Sequence, residues 1–257
     1  MIQSVQRAVQ VLRLLAAEGS RLGVTELSER LGVAKPTVHA MLRTLEAEGL
    51  VVQDRESSKY GLGPGLLHLG NAYLDGHELR ARSMTWADAL ATRANEAVWV
   101  GVLTGDHVLV VHHAFRPEGA VQILEVGASI PWNTSALGKA MVAFGPEAEE
   151  KRLLEGRLAV LTGRSVTSPD RLAEQLEEAR QSGYAIEDQE SAIGDASIAA
   201  PVFDRSGQVA GAIGVVGPVE RLLAEDRRAE LAVAVRETAR NLSRDLGAGR
   251  GYPRRVG

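Results

Sequence analysis

The chain has 257 residues, 45% of them hydrophobic and 24% charged, and its 29 Lys and Arg against 33 Asp and Glu leave a formal net charge of -4. That length can bury the core of one large or two modest domains, and the acidic balance excludes a generally basic coat for nucleic acid or anionic membrane. The absence of cysteine excludes disulfides, thiolate nucleophiles and thiolate metal sites.

No apolar run approaches the ~20 residues of a membrane span. The first nineteen residues lack the basic, then apolar, then small-residue order of a signal peptide, so a cytoplasmic location is expected. Residues 1–60 carry eight Lys or Arg against seven Asp or Glu, which places nearly all the negative excess further on. Any nucleic-acid contact would therefore be a small surface.

In chain order, Val5, Val9, Leu12 and Leu15, with Ala8 and Val11 alongside, predict a helix ending near Gly19. A shorter helix follows, with Thr25 as its expected cap, Leu27 and Leu31 on its apolar side and Gly32 at its end. In the stretch LGVAKPTVHAMLRTLEAEGL, Pro36 suits a first helical turn and Gly49 a stop, while Val38, Met41, Leu42 and Leu45 make a buried stripe. Pro36, Thr37, Ala40, Arg43 and Thr44 fall on the opposite face. LVVQD and YGLG then read as two short strands around the polar loop RESSK.

Two helices, a tight turn, a third helix and a two-stranded wing make a winged helix-turn-helix, whose last helix normally lies in the major groove. On that reading Arg43 suits a bidentate contact to guanine, and Thr37 or His39 a base or phosphate. Lys35 suits the phosphate backbone, as do Arg55 and Lys59 beside the wing, while Glu46 and Glu48 confine the contact to the first half of the helix. The alternative is that these charges form an ordinary solvated face, with the helices packing on one another or on a protein partner.

From Pro64 to about Ala97 two helical stretches are expected, GPGLLHLGNAYLD and HELRARSMTWADALATRAN, broken near Gly76, with residues 64–80 as a linker helix and Leu66, Leu69 and Tyr73 as a stripe for a second copy. A helix folded back on its own domain is the other reading. Beyond it, AVWVGVL, HVLVVHHA, VQILEV, SIAAPVFD and VAGAIGVVG read as strands. Helices are expected at SALGKAMVAF, at residues 169–183 and at 222–246. The pattern predicts an α+β fold with a mainly antiparallel sheet over residues 81–246, and an unstructured tail from 247.

Enzyme chemistry has little support in the residues. His112 and His113 are adjacent on a strand and point to opposite faces, so they cannot share one metal ion. There is no pair of histidines at helical ligand spacing and no phosphate-cradling loop, so no cofactor and no metal site is expected.

The N-terminal pattern, followed by GASIPWNTSALGKAM and by GYAIEDQESAIGDASIAAPVFDRSGQVAGAIGVVGPVER, resembles the IclR family of bacterial transcriptional regulators over nearly the whole chain. GNAYLDGHELRAR, VHHAFRPEG and LSRDLGAG are similar to its actinomycete glycerol operon branch. The resemblance implies a winged helix-turn-helix over residues 1–63, a linker helix and a GAF-like effector domain. It also implies homodimers or pairs of dimers on double-stranded operator DNA, and a repressor gated by a small polar metabolite, glycerol or a related compound. The family's effector pocket maps onto Ala136 and Leu137 at the start of the GKA helix, Glu187, Ser197, Gly214 and Val216, to which Ser135 adds a helix N-terminus. Two departures stand out: Glu187 replaces the usual Asp, and WNTS replaces a His-containing approach. Glu187 would oppose a phosphate dianion more strongly than a helix end, worth about half a charge, would attract it. That sum favours a neutral polyol or an amine over a phosphorylated ligand.

Overall fold

The computed structural model describes residues 2–19, 21–118 and 123–249. Its contacts divide the chain into two compact units, Met1–Gly76 and His77–Gly257.

In the first unit, helices α1 (Gln3–Glu18), α2 (Val24–Leu31) and α3 (Lys35–Ala47) precede strands β1 (Val51–Gln53) and β2 (Tyr60–Leu62) and helix α4 (Gly65–Asp75). Gly19 and Gly32 close α1 and α2 where expected. The core gathers Val11, Leu15, Leu27, Val38, Leu42 and Leu45 under Val51 and Tyr60 of the wing. Val5 and Val9 are not part of it. They lie exposed with Ile2 on a second apolar face of α1, because only the Val11 and Leu15 side of the helix meets α2 and α3. Thr25 is not the cap of α2. It lies exposed inside the first turn, and Gly23 is the cap residue, its amide donating to Glu26 Oε2 at 2.6 Å. The wing gains a third member at Leu22, which exchanges both backbone hydrogen bonds with Tyr60 at 2.9 and 2.8 Å. Helix α4 buries none of its residues; Leu67, Leu69 and Tyr73 are at least half exposed.

The second unit opens with α5 (Glu78–Ala94), one continuous helix separated from α4 by Gly76 and His77. A six-stranded antiparallel sheet follows in the order β5-β4-β3-β8-β7-β6, formed by β3 (Ala97–Thr104), β4 (His107–Ala114), β5 (Ser129–Pro131), β6 (Ala185–Asp188), β7 (Asp195–Phe203) and β8 (Val209–Pro218). Helices α6 (Ala136–Phe144), α7 (Glu147–Leu154), α8 (Pro169–Ser182), α9 (Val219–Leu222) and α10 (Glu225–Asp245) complete it. Helices α5 and α10 pack on each other and on one face of the sheet, while α6, backed by α8, covers the other. Near-continuous apolar runs along β3, β7 and β8 make both faces apolar, so each can be covered.

Three expectations change. Residues 123–126 of the expected strand VQILEV are not a strand, and its first two residues lie outside the described range. The edge position beside β4 is taken by β5 instead, with Val108 opposite Ile130. The long C-terminal helix starts at Glu225, after the separate turn of α9. Of the expected tail, Gly247 and Ala248 donate to Arg244 O and Ser243 O and so close α10, whereas residues 250–257 lie outside the described range.

Candidate functional site

The exposed face of α3 carries Lys35, Pro36, Thr37, His39, Ala40, Arg43 and Thr44, while Val38, Leu42 and Leu45 hold the helix down. Pro36 occupies the first turn, and no acidic side chain lies there, so the positive end of the helix dipole is left for an outside anion. The hydroxyl of Thr44 is turned back onto Ala40 O at 3.1 Å, which leaves its methyl group as the outward contact. Arg55 is exposed at the tip of the wing. Lys59 has an ion pair with Glu26 at 3.3 Å, and Arg21, which the sequence reading passed over, pairs with Asp54 at the base of the same wing. Charged groups of the wing are thus partly committed to Glu26 of α2 and to Arg21 just before it, whereas Arg43 has no ion pair in the structure among the described residues.

The second unit holds a cavity of about 50 Å³ between the start of α6 and the sheet. Ser135, Leu137, Glu187, Ser197 and Val216 line it, five of the seven positions expected for the effector. Ala136 is fully buried behind the helix start and is not among the lining residues. Nor is Gly214, which serves sheet packing: a Cβ there would fall 2.6 Å from that of Ala199.

Register and alternation build this site. Glu187 of β6 stands opposite Ser197 of β7, which stands opposite Val216 of β8, and Trp99 of β3 stands opposite Gly214. Strand alternation turns all of these toward α6. The Glu187 carboxylate accepts the Glu190 and Ser191 amides on Oε1, at 2.6 and 3.1 Å, and the Ser197 hydroxyl on Oε2 at 3.0 Å. Burial nevertheless pushes the Glu187 carboxyl above its ordinary pKa, outweighing the three hydrogen bonds that favour the charged form. Lys139 of the GKA motif points away to Glu190, 2.5 Å distant and also buried. Burial lowers its ammonium pKa, against the pull of Glu190 and Glu187. At the helix start, Ser135 makes no side-chain cap bond, and the first α6 amides have no acceptor within the helix.

Trp99, Ile130, Thr134, Ser191, Ala192 and Asp195 complete the lining and were not singled out from the sequence. Period-2 alternation could have picked out Trp99 once its strand was placed, but not the loop residues Ser191 and Ala192. Two lining residues, Glu187 and Asp195, are carboxylates, and none of the described lining residues is Lys or Arg. A larger groove of about 500 Å³, lined in part by Lys139, Glu178, Asp188 and Arg228, contains none of the seven expected effector positions. His112 and His113 fall as expected on opposite faces, His112 within the field of Asp88 on α5 and His113 against Trp99.

Comparison with known proteins gives this geometry its context. The IclR helix-turn-helix domain family matches residues 4–55, and the bacterial transcriptional regulator IclR C-terminal family matches residues 71–244. The glycerol operon regulatory protein of Streptomyces griseus is 50% identical over 250 residues, covering 97% of this chain and 98% of that protein. Its counterpart in Streptomyces coelicolor is 49% identical with the same coverage. The crystal structure of an IclR transcriptional regulator from Alicyclobacillus acidocaldarius superposes with a TM-score of 0.81 at 31% identity, covering 96% of this chain and all of that one. The chain belongs to the IclR family, and is a DNA-binding transcriptional regulator gated by a small-molecule effector.

Proposed function

We propose that this chain is a cytoplasmic, homodimeric repressor whose two copies of α3 read an operator, and whose GAF-like second unit binds glycerol or a closely related neutral polyol. The observation that carries the effector reading is the pair of carboxylates, Glu187 and Asp195, in a cavity lined by no described Lys or Arg. Such a site opposes a phosphate and suits hydroxyl donors. The names of the Streptomyces relatives, which are glycerol operon regulators, support the same class. The exposed apolar residues of α1 and α4, Val5, Val9, Leu69 and Tyr73, support a second copy covering them. Two symmetry-related α3 helices then place half-sites about 34 Å apart, or a multiple of that. The effector acts by binding one arrangement of the dimer better than the other.

The test is binding to DNA from the protein's own promoter region, measured across salt concentrations and with glycerol or glycerol 3-phosphate added. Arg43→Ala should weaken specific binding by about 1–3 kcal/mol and relax base preference, and Arg55→Ala should weaken binding to all sequences similarly and lower the salt slope. Glycerol should change operator affinity and glycerol 3-phosphate should not. Unaltered specific affinity in a folded Arg43→Ala protein would remove α3 as the reading element, and a response to glycerol 3-phosphate alone would overturn the polyol.

A further inference from the structure

Glu187 and Glu190 are both buried carboxylates, and they face different neighbours. Glu187 lines the effector cavity, whereas Glu190 lines the larger groove and bonds Lys139. Between them Gln189 has a left-handed backbone, φ 58°, and beyond it the Glu190 and Ser191 amides donate back to Glu187 Oε1. Two of the three hydrogen bonds on the Glu187 carboxylate therefore come from this turn, and the third comes from Ser197 on the neighbouring strand. The direction in which Glu187 presents its charge depends on what holds the turn.

Glu190 holds it on several sides. Its Oε1 accepts from Lys139 Nζ at 2.5 Å and its Oε2 from the Val166 amide at 3.3 Å. Its carbonyl accepts the Ser165 hydroxyl at 2.8 Å, and the Gln189 carbonyl accepts the Thr162 hydroxyl at 2.7 Å. The loop that supplies these groups is pinned by the buried Asn133, whose side-chain amide donates to Ala159 O at 2.9 Å and Val166 O at 3.2 Å, and whose Oδ1 accepts the Ala159 amide at 3.1 Å. Asn133 belongs to the WNTS segment and directly precedes Thr134 and Ser135 of the cavity wall.

Lys139 is the other half of the tie. Its amide donates to Ser135 O at 2.9 Å, so it follows one helical turn after the residue that opens the cavity wall on α6. One wall of the cavity is thus the start of α6, with the Ser135 hydroxyl and the first amides of the helix, and the other is the turn from Glu187 to Ser191. The Lys139–Glu190 bond joins the two walls directly. It is buried at both ends, where a charge-assisted hydrogen bond is short and fixes geometry more firmly than at the surface. Lys139 also lies in the field of Glu187, and so lets two carboxylates share one turn.

We propose that Glu190 is a positioning residue of the effector cavity: through Lys139 it ties the turn after β6 to α6, and so sets the distance and direction at which the Glu187 carboxylate meets an effector lying against the start of that helix. The assignment rests on the effector-site reading above and adds a residue that does not itself line the cavity.

The test is glycerol binding by calorimetry to full-length wild type, Lys139→Met, Glu190→Gln and the double variant, with melting temperatures measured beside it. The double variant strands no charge and should regain much of the stability that Lys139→Met loses, yet it lacks the tie and should bind glycerol about tenfold more weakly than wild type. In a Glu187→Gln background the same two changes should cost less than about twofold, because the carboxylate they position is already gone. A pair with only a structural role gives the opposite pattern: affinity returns with stability in the double variant, or falls equally with and without Glu187. Either result overturns the positioning role and leaves the polyol reading intact. If wild type binds only glycerol 3-phosphate, the polyol reading fails; a loss of that binding in the double variant that depends on Glu187 then supports the positioning role, and no such loss overturns it. Binding of neither compound overturns both.

Discussion

Replacing Lys139 by Met tests the electrostatic centre of the second unit. Lys139 and Glu190 are 1% and 5% exposed and only 2.5 Å apart, so each is the other's main compensation for lost solvation. Once the ammonium is gone, the Glu190 carboxylate keeps the Val166 amide at 3.3 Å as its remaining donor. Removing one member of a buried pair typically costs about 3–5 kcal/mol, because the uncompensated charge stays inside. For a unit of this size a change of 1 kcal/mol moves the midpoint by about 2–4 °C, so Lys139→Met should lower the melting temperature by roughly 10 °C. Adding Glu190→Gln should recover much of that loss, since the neutral amide still accepts from Val166 and leaves no stranded charge. Glu190→Gln alone should be milder than Lys139→Met, because burial already lowers the Lys139 pKa and gives that side chain a neutral form to adopt. Differential scanning calorimetry of the four proteins closes the cycle. A shift below about 2 °C for Lys139→Met, or no recovery in the double variant, would show that the pair is not the desolvated couple described here.

Glu187→Gln should reveal the sign of the pocket's own electrostatics. Folding raises this carboxyl above its ordinary value of 4.5, so its contribution to stability is present below that value and is lost as pH rises through the raised pKa. The variant, whose amide can still accept from the Glu190 and Ser191 N–H groups, should gain on wild type in melting temperature as pH rises above the ordinary value of 4.5; a gap that closes or reverses with rising pH would refute the reasoning. Exchanging the exposed Leu69 and Tyr73 for Ser should weaken self-association about tenfold or more, since each withdraws apolar surface from the dimer contact. Light scattering should find wild type dimeric and the variant shifted toward monomer, and a wild-type monomer at micromolar concentration that still binds operator would contradict the proposed assembly.

The helix-turn-helix was legible residue by residue because its signals are local. Pro36 in a first turn, glycines at the helix ends and the stripe Val38, Leu42, Leu45 each act within a few positions along the chain, as do the short apolar, β-branched runs that mark β3, β4, β7 and β8. Motif resemblance also singled out Glu187, Ser197 and Val216, which the fold brings to one cavity. Only the tertiary fold decided which apolar face of α1 is buried, because the Val5, Val9 face and the Val11, Leu15 face look alike until α2 and α3 pack on one of them. It also decided that Glu26, rather than Thr25, serves the α2 N-terminus, a choice between two polar side chains one residue apart. The cavity lies furthest from local reading. Trp99 and Val216 are 117 residues apart in sequence and reach one wall through the pairing of β3 with β8, and Lys139 finds Glu190 across 51 residues. Neither periodicity nor propensity encodes such pairings, because strand order and register are settled by burying both faces of the whole sheet at once.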